Sequence, residues 1–509
     1  MGTLKFLIFL SIVAIIFAIP RGFDISDEGV YVMLADPNQE NIGGIFNYDL
    51  FFKVLYKFTG LEFGIIGLRI IRLISYFIGA YGLALFWKNL FESQKLSLSI
   101  FLLALAGLFA GYGFLPPTLS YNSISVVSVC IWLGIISNPT LGPKSWLFLG
   151  LIFLVLFYSK ITACLLLGLI SILYLRAEKE LSLPKVLILI SPWLIFEWLY
   201  YFLFKENGMT RLTGESGFIS QRQDYSILLL IKYTLVGVFW SLTVGIFFFV
   251  IGKLRGFSGK LKSGMFLIGT LFLLFVFYKT RITEEWSHFF LLVIFALISW
   301  QLGASRIVAF NTKRGFFLFI LICLPFLIHF GSNVYWMRLG THYWVFWIFA
   351  FAILIQAKSN KSQTAFYQLI AVSSLLLVVT GIWITPFEGS YLWDSRYAWE
   401  YKTGRTILLA KPQIDFLNKL KSEIEPIESG NIASLYMNPG LLYLFDRTSP
   451  CIPGYWKSSQ AKTFLRDGDQ LELILFNPLD SFPFDQKKWE IKDELIQPNG
   501  EKLLVLWRK

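Results

Sequence analysis

The sequence is poor in charged residues, histidine and cysteine. Only 15% of its 509 residues are charged, with 3 histidines and 4 cysteines, whereas roughly a quarter of a soluble domain is charged. This shortage excludes an ordinary soluble enzyme and a disordered chain. The cysteines and histidines lack zinc-ligand spacing, and Cys451 has no partner for a local disulfide. The sequence therefore predicts no zinc site and no local disulfide.

Hydrophobic residues are abundant instead. They make up 56% of the chain, and apolar runs recur along most of its length, which excludes a single-span receptor. A membrane span needs about 20 apolar residues. The first run ends Ala18-Ile19-Pro20 without a small-x-small cleavage site, so we expect it to be retained as a span. We predict thirteen spans, near residues 4–19, 63–87, 97–115, 118–136, 146–158, 160–175, 185–204, 226–252, 264–279, 287–302, 315–331, 342–356 and 365–385.

The basic residues are unevenly distributed. Residues 1–385 have a net charge of +13 and residues 386–509 of −1, so the basic excess belongs to the membrane part and does not indicate nucleic-acid binding. With the N-terminus in the cytoplasm, 16 of the 29 basic residues in 1–385 fall in inner loops, as the positive-inside rule requires. This pattern needs an odd number of spans and a break near Lys160, because a lysine inside the membrane is costly. Two short spans and a re-entrant turn are both open there.

The last 124 residues differ from the membrane part. An amphipathic helix is expected at 412–424, and strands at 432–437, 471–476, 489–495 and 503–507. Interleaved helices and strands indicate a small α/β domain. The predicted fold is a polytopic α-helical membrane protein with about 13 transmembrane helices. Its transmembrane domain covers residues 1–385, and a C-terminal extracytoplasmic α/β domain covers residues 386–509.

The first outer loop, residues 20–62, is rich in acidic residues. Ser26 is placed to cap an interfacial helix whose first turn holds Asp27 and Glu28, where carboxylates favour the helix dipole. Asp49 follows further along the loop. Stabilisation of a helix end is one interpretation of these acids, and catalysis is the other.

Short motifs favour the catalytic interpretation. An Asp-Glu-x-x-Tyr motif opens the loop helix, an Arg-Leu pair opens the next span, and a lysine heads a short span. The chain resembles the GT-C glycosyltransferases that use polyprenyl-phosphate-linked sugars, and most of all the branch with the protein O-mannosyltransferases and the lipid A aminoarabinose transferase. The segments that carry the resemblance are Asp27–Tyr31, Asn47–Leu50, Leu68–Leu73, Lys160 and Leu435–Tyr443.

The chain departs from that family at two positions. Relatives often have a Pro-Pro pair where this chain reads Tyr48-Asp49-Leu50. Some relatives carry an acid in the turn between the third and fourth spans, where this chain has Asn122. These departures leave the donor sugar open more than the type of reaction.

The resemblance assigns roles to the acids. An acceptor hydroxyl attacks the anomeric carbon of a lipid-linked sugar, so a carboxylate must take its proton and cations must stabilise the departing phosphate. The resemblance makes Asp27 the base and Glu28 its support, or a metal ligand if a divalent metal is used. Asp49 is a second candidate, for orienting the acceptor. No cofactor is otherwise implied, and the histidine spacing predicts no metal site.

Several cations and polar residues are placed at the outer ends of the predicted spans. Arg69 and Arg72 are three residues apart and therefore share a helix face, and arginine suits phosphate binding. For any single cation, snorkelling to the interface is the competing interpretation. The candidates for donor-phosphate binding are Arg69, Arg72, Lys160, Lys279, Arg281 and Arg338, and the other site candidates are Tyr48, Tyr121, Asn122, His288 and His342.

Two charged residues lie deeper, inside consecutive predicted spans. Glu197 and Lys232 fall at similar depths in antiparallel segments. We expect them to form a buried ion pair, which would reduce the desolvation cost of each.

The sequence thus predicts an inverting glycosyltransferase, transferring a hexosyl or pentosyl group from a polyprenyl-phosphate donor to an acceptor hydroxyl outside the membrane. Its expected partners are the donor, a glycan, lipid or protein acceptor, and the lipid bilayer. The expected location is a bacterial inner membrane, with the endoplasmic reticulum as the alternative. A secondary transporter or lipid-sugar flippase, and a polysaccharide polymerase or ligase, are the alternative functions. The donor sugar, the acceptor, metal dependence and oligomeric state stay open.

Overall fold

The computed structural model describes residues 2–43, 47–113, 117–219, 226–254, 259–281, 287–304, 312–384, 386, 391–466 and 468–509. As far as residue 384 the described chain is almost entirely helical. Its helices are α1 Gly2–Ala18, α2 Asp27–Ala35, α3 Asp49–Thr59, α4 Gly64–Leu90, α5 Leu98–Phe109, α6 Tyr121–Ile136, α7 Pro143–Ser159, α8 Ile161–Ala177, α9 Leu183–Phe204, α10 Gly208–Ile219, α11 Ile227–Lys253, α12 Gly259–Thr280, α13 His288–Ala304, α14 Thr312–His329, α15 Trp336–Leu339, α16 Trp344–Ile355 and α17 Asn360–Val378.

Each predicted span coincides with one of these helices. Five described segments are long and apolar enough to cross a membrane: Gly64–Leu90, Leu183–Phe204, Ile227–Lys253, Ser263–Thr280 and Asn360–Ile384. The remaining apolar helices are shorter. Large apolar side chains cover the outside of α9 and α11, where water would disfavour them and lipid would not. The protein is therefore compatible with a helical membrane protein, and a total of thirteen spans stays a prediction.

The core of the helical part surrounds α16. All 12 residues of α16 are buried, and the helix packs against α5, α13 and α14. A helix that is apolar on every side can lie in a protein core or face lipid, and its contacts with α5, α13 and α14 place α16 in the core.

The helix break near Lys160 is confirmed. Helix α7 ends at Ser159 and α8 begins at Ile161. Lys160 separates them with φ −154 and ψ 87, outside the helical region. The break places the lysine at a helix junction instead of inside a continuous helix.

The C-terminal part combines two sheets with three helices among its described residues. The first sheet is a hairpin, and the second has the order β3-β4-β6-β5, with β3 and β4 parallel and the other pairs antiparallel. The elements are β1 Tyr397–Lys402, β2 Arg405–Leu409, α18 Lys411–Ile424, β3 Ile432–Leu435, α19 Pro439–Leu444, α20 Ser458–Leu465, β4 Leu473–Phe476, β5 Trp489–Ile496 and β6 Lys502–Arg508.

The predicted helix and four strands of this part are confirmed as elements. The β1–β2 hairpin, α19 and α20 are additions that the sequence did not predict. An independent extracytoplasmic domain at residues 386–509 stays a prediction.

The C-terminal part packs directly on the first outer loop. Leu408 exchanges backbone hydrogen bonds with Pro20 and Gly22, both 2.8 Å long, and the Gly440 N–H donates to the Ile25 carbonyl at 2.7 Å. A side chain at Gly29 would overlap the Gly440 backbone, so this approach of α19 to α2 requires glycine. The loop helix α2 is thereby held between the helical part and α19.

Candidate functional site

The start of α2 is fixed by Asp24, and the expectation that Ser26 caps this helix is wrong. The Ser26 side chain makes no capping hydrogen bond. The buried Asp24 carboxylate instead accepts the backbone N–H groups of Ser26 at 2.9 Å and Glu28 at 3.1 Å. Burial raises the pKa of Asp24, which these N–H groups partly oppose. Asp24 thus directs the first turn of α2, which carries Asp27.

Glu28 is fully buried, and protein groups occupy both of its carboxylate oxygens. Arg69 donates to Oε1 at 2.9 Å and to Oε2 at 2.8 Å, Thr118 donates to Oε1, and the Asp24 N–H donates to Oε2 at 3.2 Å. These contacts leave no open oxygen for an acceptor hydroxyl or a metal. The expectation for Glu28 is therefore corrected to an anchoring role.

Arg69 uses all five of its N–H donors inside the protein. Besides Glu28, it donates to the backbone carbonyls of Ile19 at 2.6 Å, Arg21 at 2.8 Å and Gly22 at 2.7 Å. An arginine has no further donors. The expectation that Arg69 binds a donor phosphate is corrected for this reason, since the residue instead holds the end of α1 and the start of the loop.

Asp49 is held in a second buried ion pair. Arg211 binds it bidentately, at 2.6 Å and 3.0 Å, and Lys53 lies 3.1 Å away. Arg211 on α10 also contacts Glu206 at 2.8 Å. Asp49 therefore anchors α3 to α10, which corrects its expected role in orienting the acceptor. The sequence analysis missed Arg211, because residues 205–225 hold three basic and three acidic residues and no local pattern distinguishes Arg211.

Asp27 differs from these anchored acids. Among the described acids of the first outer loop, it is the one with no hydrogen-bond or ion-pair partner. It keeps a solvent-accessible side. Burial and the charge of Asp24 raise the pKa of Asp27 to about 7, against the opposing charge of Arg338. Asp27 is therefore partly accessible, and a pKa near 7 suits a general base.

Two tyrosines connect Asp27 to a buried lysine. Tyr31, one turn along α2, feels the charge of Asp27, and its ring lies 6.3 Å from that of Tyr121. The Lys160 ammonium lies 5.8 Å from the centre of the Tyr121 ring. We call Asp27, Tyr31, Tyr121 and Lys160 the Asp27–Lys160 cluster. Lys160 is 8% exposed, and its ammonium has no hydrogen-bond partner among the described residues. A buried ammonium in this state is ready to receive an anion.

Arg72 and His342 adjoin the lysine. The charges of Arg72 and Lys160 both act on His342. Arg72 donates to the Gly111 carbonyl at 3.1 Å, and its guanidinium lies 4.1 Å from the Tyr112 ring. Arg72 is therefore fixed in place and contributes its positive charge near Lys160.

The remaining predicted cations are placed differently. Lys279 and Arg281 are exposed, and Lys279 lies over Phe275 of its own helix. Neither contacts Asp27 or Lys160 in the part of the chain that the structure describes. Arg338, on the one-turn helix α15, is exposed, and its charge reaches Asp27. Among these three cations, Arg338 is the one whose charge acts on the Asp27–Lys160 cluster.

Three polar candidates contribute in other ways. Tyr48 is buried beside Tyr31 in one apolar cluster. Asn122 lies next to Tyr121 in the first turn of α6 and is 4% exposed. His288 Nε2 lies 3.0 Å from the Thr280 hydroxyl, so it joins α12 to α13.

The expected ion pair between Glu197 and Lys232 does not form. Glu197 accepts the Tyr158 hydroxyl and the N–H groups of Gly208 at 3.1 Å and Met209 at 3.2 Å, which caps α10. Lys232 is exposed on α11. The preference of an orphan helix terminus for a carboxylate explains the different outcome.

Two residues near the Asp27–Lys160 cluster were missing from the predicted site. Tyr343 is buried in the segment Gly340–Tyr343, which packs on α6, and the buried His329 ring lies 6.3 Å from the Tyr343 ring. Both lie in apolar segments, and no local sequence pattern links the two positions. Searched over the described residues, no group of three or more His, Cys, Asp or Glu side chains could hold a metal ion.

Comparison with known proteins adds no relative. No protein-family model matches the chain, and no curated protein matches it. The resemblance to the GT-C glycosyltransferases therefore stands on its motifs alone.

Proposed function

We propose that the protein is an inverting glycosyltransferase that takes its sugar from a polyprenyl-phosphate donor. One observation carries the proposal: Asp27 and the Lys160 ammonium, neither of which has a hydrogen-bond partner among the described residues, adjoin the same pair of tyrosines. Asp27 acts on Tyr31, Tyr31 contacts Tyr121, and Tyr121 contacts Lys160. A base and an anion-binding cation beside a common pair of aromatic rings suit transfer from a phosphate.

The chemistry follows from these positions. Asp27 accepts the proton of the acceptor hydroxyl while the hydroxyl oxygen forms a bond to the anomeric carbon. The bond between that carbon and the phosphate oxygen breaks, and its electron pair stays on the phosphate. Lys160, with the positive charge of Arg72 nearby, stabilises the released polyprenyl phosphate. Attack opposite the leaving group inverts the anomeric centre.

The paired residues serve this chemistry by holding its parts in place. The pair of Glu28 and Arg69 joins α2 to α4, and Asp24 directs the first turn that bears Asp27. A base misplaced by about 1 Å can lose 100-fold in rate. The anchors therefore count as positioning residues and not as catalytic ones.

A lipid-linked donor also suits the apolar helices around Lys160. The isoprenoid chain of such a donor must stay in hydrocarbon while its phosphate reaches a polar site. Lys160 lies at the junction of two apolar helices, α7 and α8. We propose that the phosphate enters there and that the site opens on the outer side of a bacterial inner membrane.

The test is a transfer assay on the full-length protein in lipid nanodiscs. Release of polyprenyl phosphate from a set of polyprenyl-phosphate sugars is measured with membrane glycolipids as acceptors. Asp27→Asn should lower the rate by at least about 100-fold, the scale of a lost general base. Glu40→Gln is the matched control, since Glu40 is an exposed acid of the same loop, and it should keep wild-type activity.

Two outcomes would overturn the proposal. An Asp27→Asn protein as active as the control would remove Asp27 as the base. Movement of the intact lipid-linked sugar across the bilayer, without phosphate release, would make the protein a flippase.

A further inference from the structure

The charges around Tyr121 bear on the kind of sugar that the donor carries. The Lys160 ammonium lies 5.8 Å from the centre of the Tyr121 ring, and the ring of Tyr31, one helical turn after Asp27, lies 6.3 Å from that of Tyr121. A sugar bonded to a phosphate at Lys160 must lie beside that phosphate. Its anomeric carbon must also be reached by the hydroxyl that Asp27 deprotonates. The sugar therefore lies against Tyr121.

No spare carboxylate adjoins this position among the described residues. Glu28 is bound by Arg69, and Asp49 is bound by Arg211 and Lys53. Asp24 is occupied by two backbone N–H groups. Asp27 remains, but a cation paired with it would lower its pKa and weaken it as a base.

Neutral polar atoms are available at the same place. The Asn122 Oδ1 atom and the Tyr343 hydroxyl are buried without a hydrogen-bond partner in the described structure. Asn122 is the neighbour of Tyr121 on α6, and Tyr343 is 1% exposed and belongs to the segment Gly340–Tyr343, which packs on α6. Buried polar groups without partners are costly, so each calls for a ligand group or a water.

Given the proposed function, we propose that the donor sugar is an uncharged, hydroxyl-bearing ring that lies against Tyr121 and hydrogen-bonds to Asn122 and Tyr343. A sugar hydroxyl donates to Asn122 Oδ1, and another exchanges a hydrogen bond with the Tyr343 hydroxyl. The apolar face of the ring packs on Tyr121, as aromatic side chains offer a flat surface with a negative face.

Charge balance excludes the cationic alternative. A phosphodiester carries one negative charge, which the Lys160 ammonium can bind directly, whereas the nearby Arg72 donates to Tyr76 and Gly111. An amino sugar would add a buried ammonium without a counterion, which is strongly unfavourable. A sugar carboxylate would add a second negative charge beside the phosphate, with Lys160 already engaged.

The first experiment compares three donors on the full-length protein in nanodiscs. Polyprenyl-phosphate carriers of a neutral hexose, a 4-amino sugar and a hexuronic acid are assayed for phosphate release. The neutral donor should exceed both charged donors by at least 100-fold in kcat/KM. Equal or better use of a charged donor would overturn this inference and leave the proposed function standing, whereas phosphate release from none of the three would count against both.

The second experiment changes the charge of the site. Asn122→Asp supplies the missing counterion, so kcat/KM for the amino sugar should rise at least 10-fold and that for the neutral sugar should fall. Asn138→Asp is the matched control, because Asn138 follows the opposite end of α6 and the same charge there should change neither value. Unchanged donor preference in a folded Asn122→Asp protein, with wild-type thermal stability, would overturn the assignment of Asn122.

Discussion

The charged residues in and beside the first outer loop form two groups, which differ in whether another charged side chain binds them. Glu28 and Asp49 are each clasped by a buried arginine, at 2.8 Å and 2.6 Å. Asp27 and the buried Lys160 have no such partner among the described residues, and both adjoin the same pair of tyrosines. The carboxylates of Glu28 and Asp49 accept hydrogen bonds that hold the fold together. Asp27 and Lys160 are the two residues that we propose to take part in the reaction.

The comparison teaches that residue type and loop position do not distinguish a structural acid from a reactive one. Asp27 and Glu28 are adjacent in sequence, yet Asp27 is partly exposed and Glu28 is fully buried. Mutations should therefore separate the two groups, with stability lost in one and activity in the other.

The largest effect on stability is expected from Arg69→Met. It leaves Glu28 as an unpaired buried carboxylate and frees three loop carbonyls. Breaking such a pair costs about 3–5 kcal/mol, so the thermal unfolding midpoint in nanodiscs should fall sharply. Glu28→Gln in the same chain should recover part of the loss. A midpoint equal to wild type would contradict the anchoring role.

Lys160→Met should have the opposite signature. Removing a buried ammonium without hydrogen bonds costs no stability and relieves desolvation, so the unfolding midpoint should stay or rise. The rate of phosphate release should fall about 100- to 1,000-fold, the scale of a lost electrostatic contact in a transition state. Loss of folding in this variant would show that the lysine belongs to the paired group.

Much of the fold follows from local sequence. Apolar runs of membrane length predicted the helices, and the cost of a lysine in such a run predicted the break at Lys160. Short segments between turn residues, such as Asn438-Pro439-Gly440, predicted β3, β4, β5 and β6. These features depend on neighbours in the chain, so their signals are present in short windows.

The site was only partly predictable because its decisive contacts join distant residues. Arg211 and Asp49 are 162 positions apart, and no local pattern links them. Ser26 and Asp24 could both cap α2, and only the backbone path selected Asp24. Arg69 has the right chemistry for a phosphate, but the loop carbonyls that occupy its donors are visible only in three dimensions.

The smallest effect is a change in the pH dependence of transfer. Because burial and the charge of Asp24 raise the pKa of Asp27 to about 7, acidic solution should protonate the base. The logarithm of kcat/KM should then rise with unit slope up to about pH 7 and level off above it. Asp24→Asn keeps an oxygen that can cap α2 but removes the negative charge, so the acidic limb should move to lower pH.

The control for this shift is Asp36→Asn. Asp36 lies 3.5 Å from Lys402, which keeps Glu62 at 2.9 Å as a second partner, and the charge of Asp36 does not act on Asp27. The profile of this variant should match wild type. An acidic limb that stays in place in Asp24→Asn, or that moves equally in both variants, would mean that Asp27 does not set the pH dependence. Asp27 would then lose its place as the reactive member of the comparison, because an unpartnered acid that does not titrate with the rate has no share in the proton transfer.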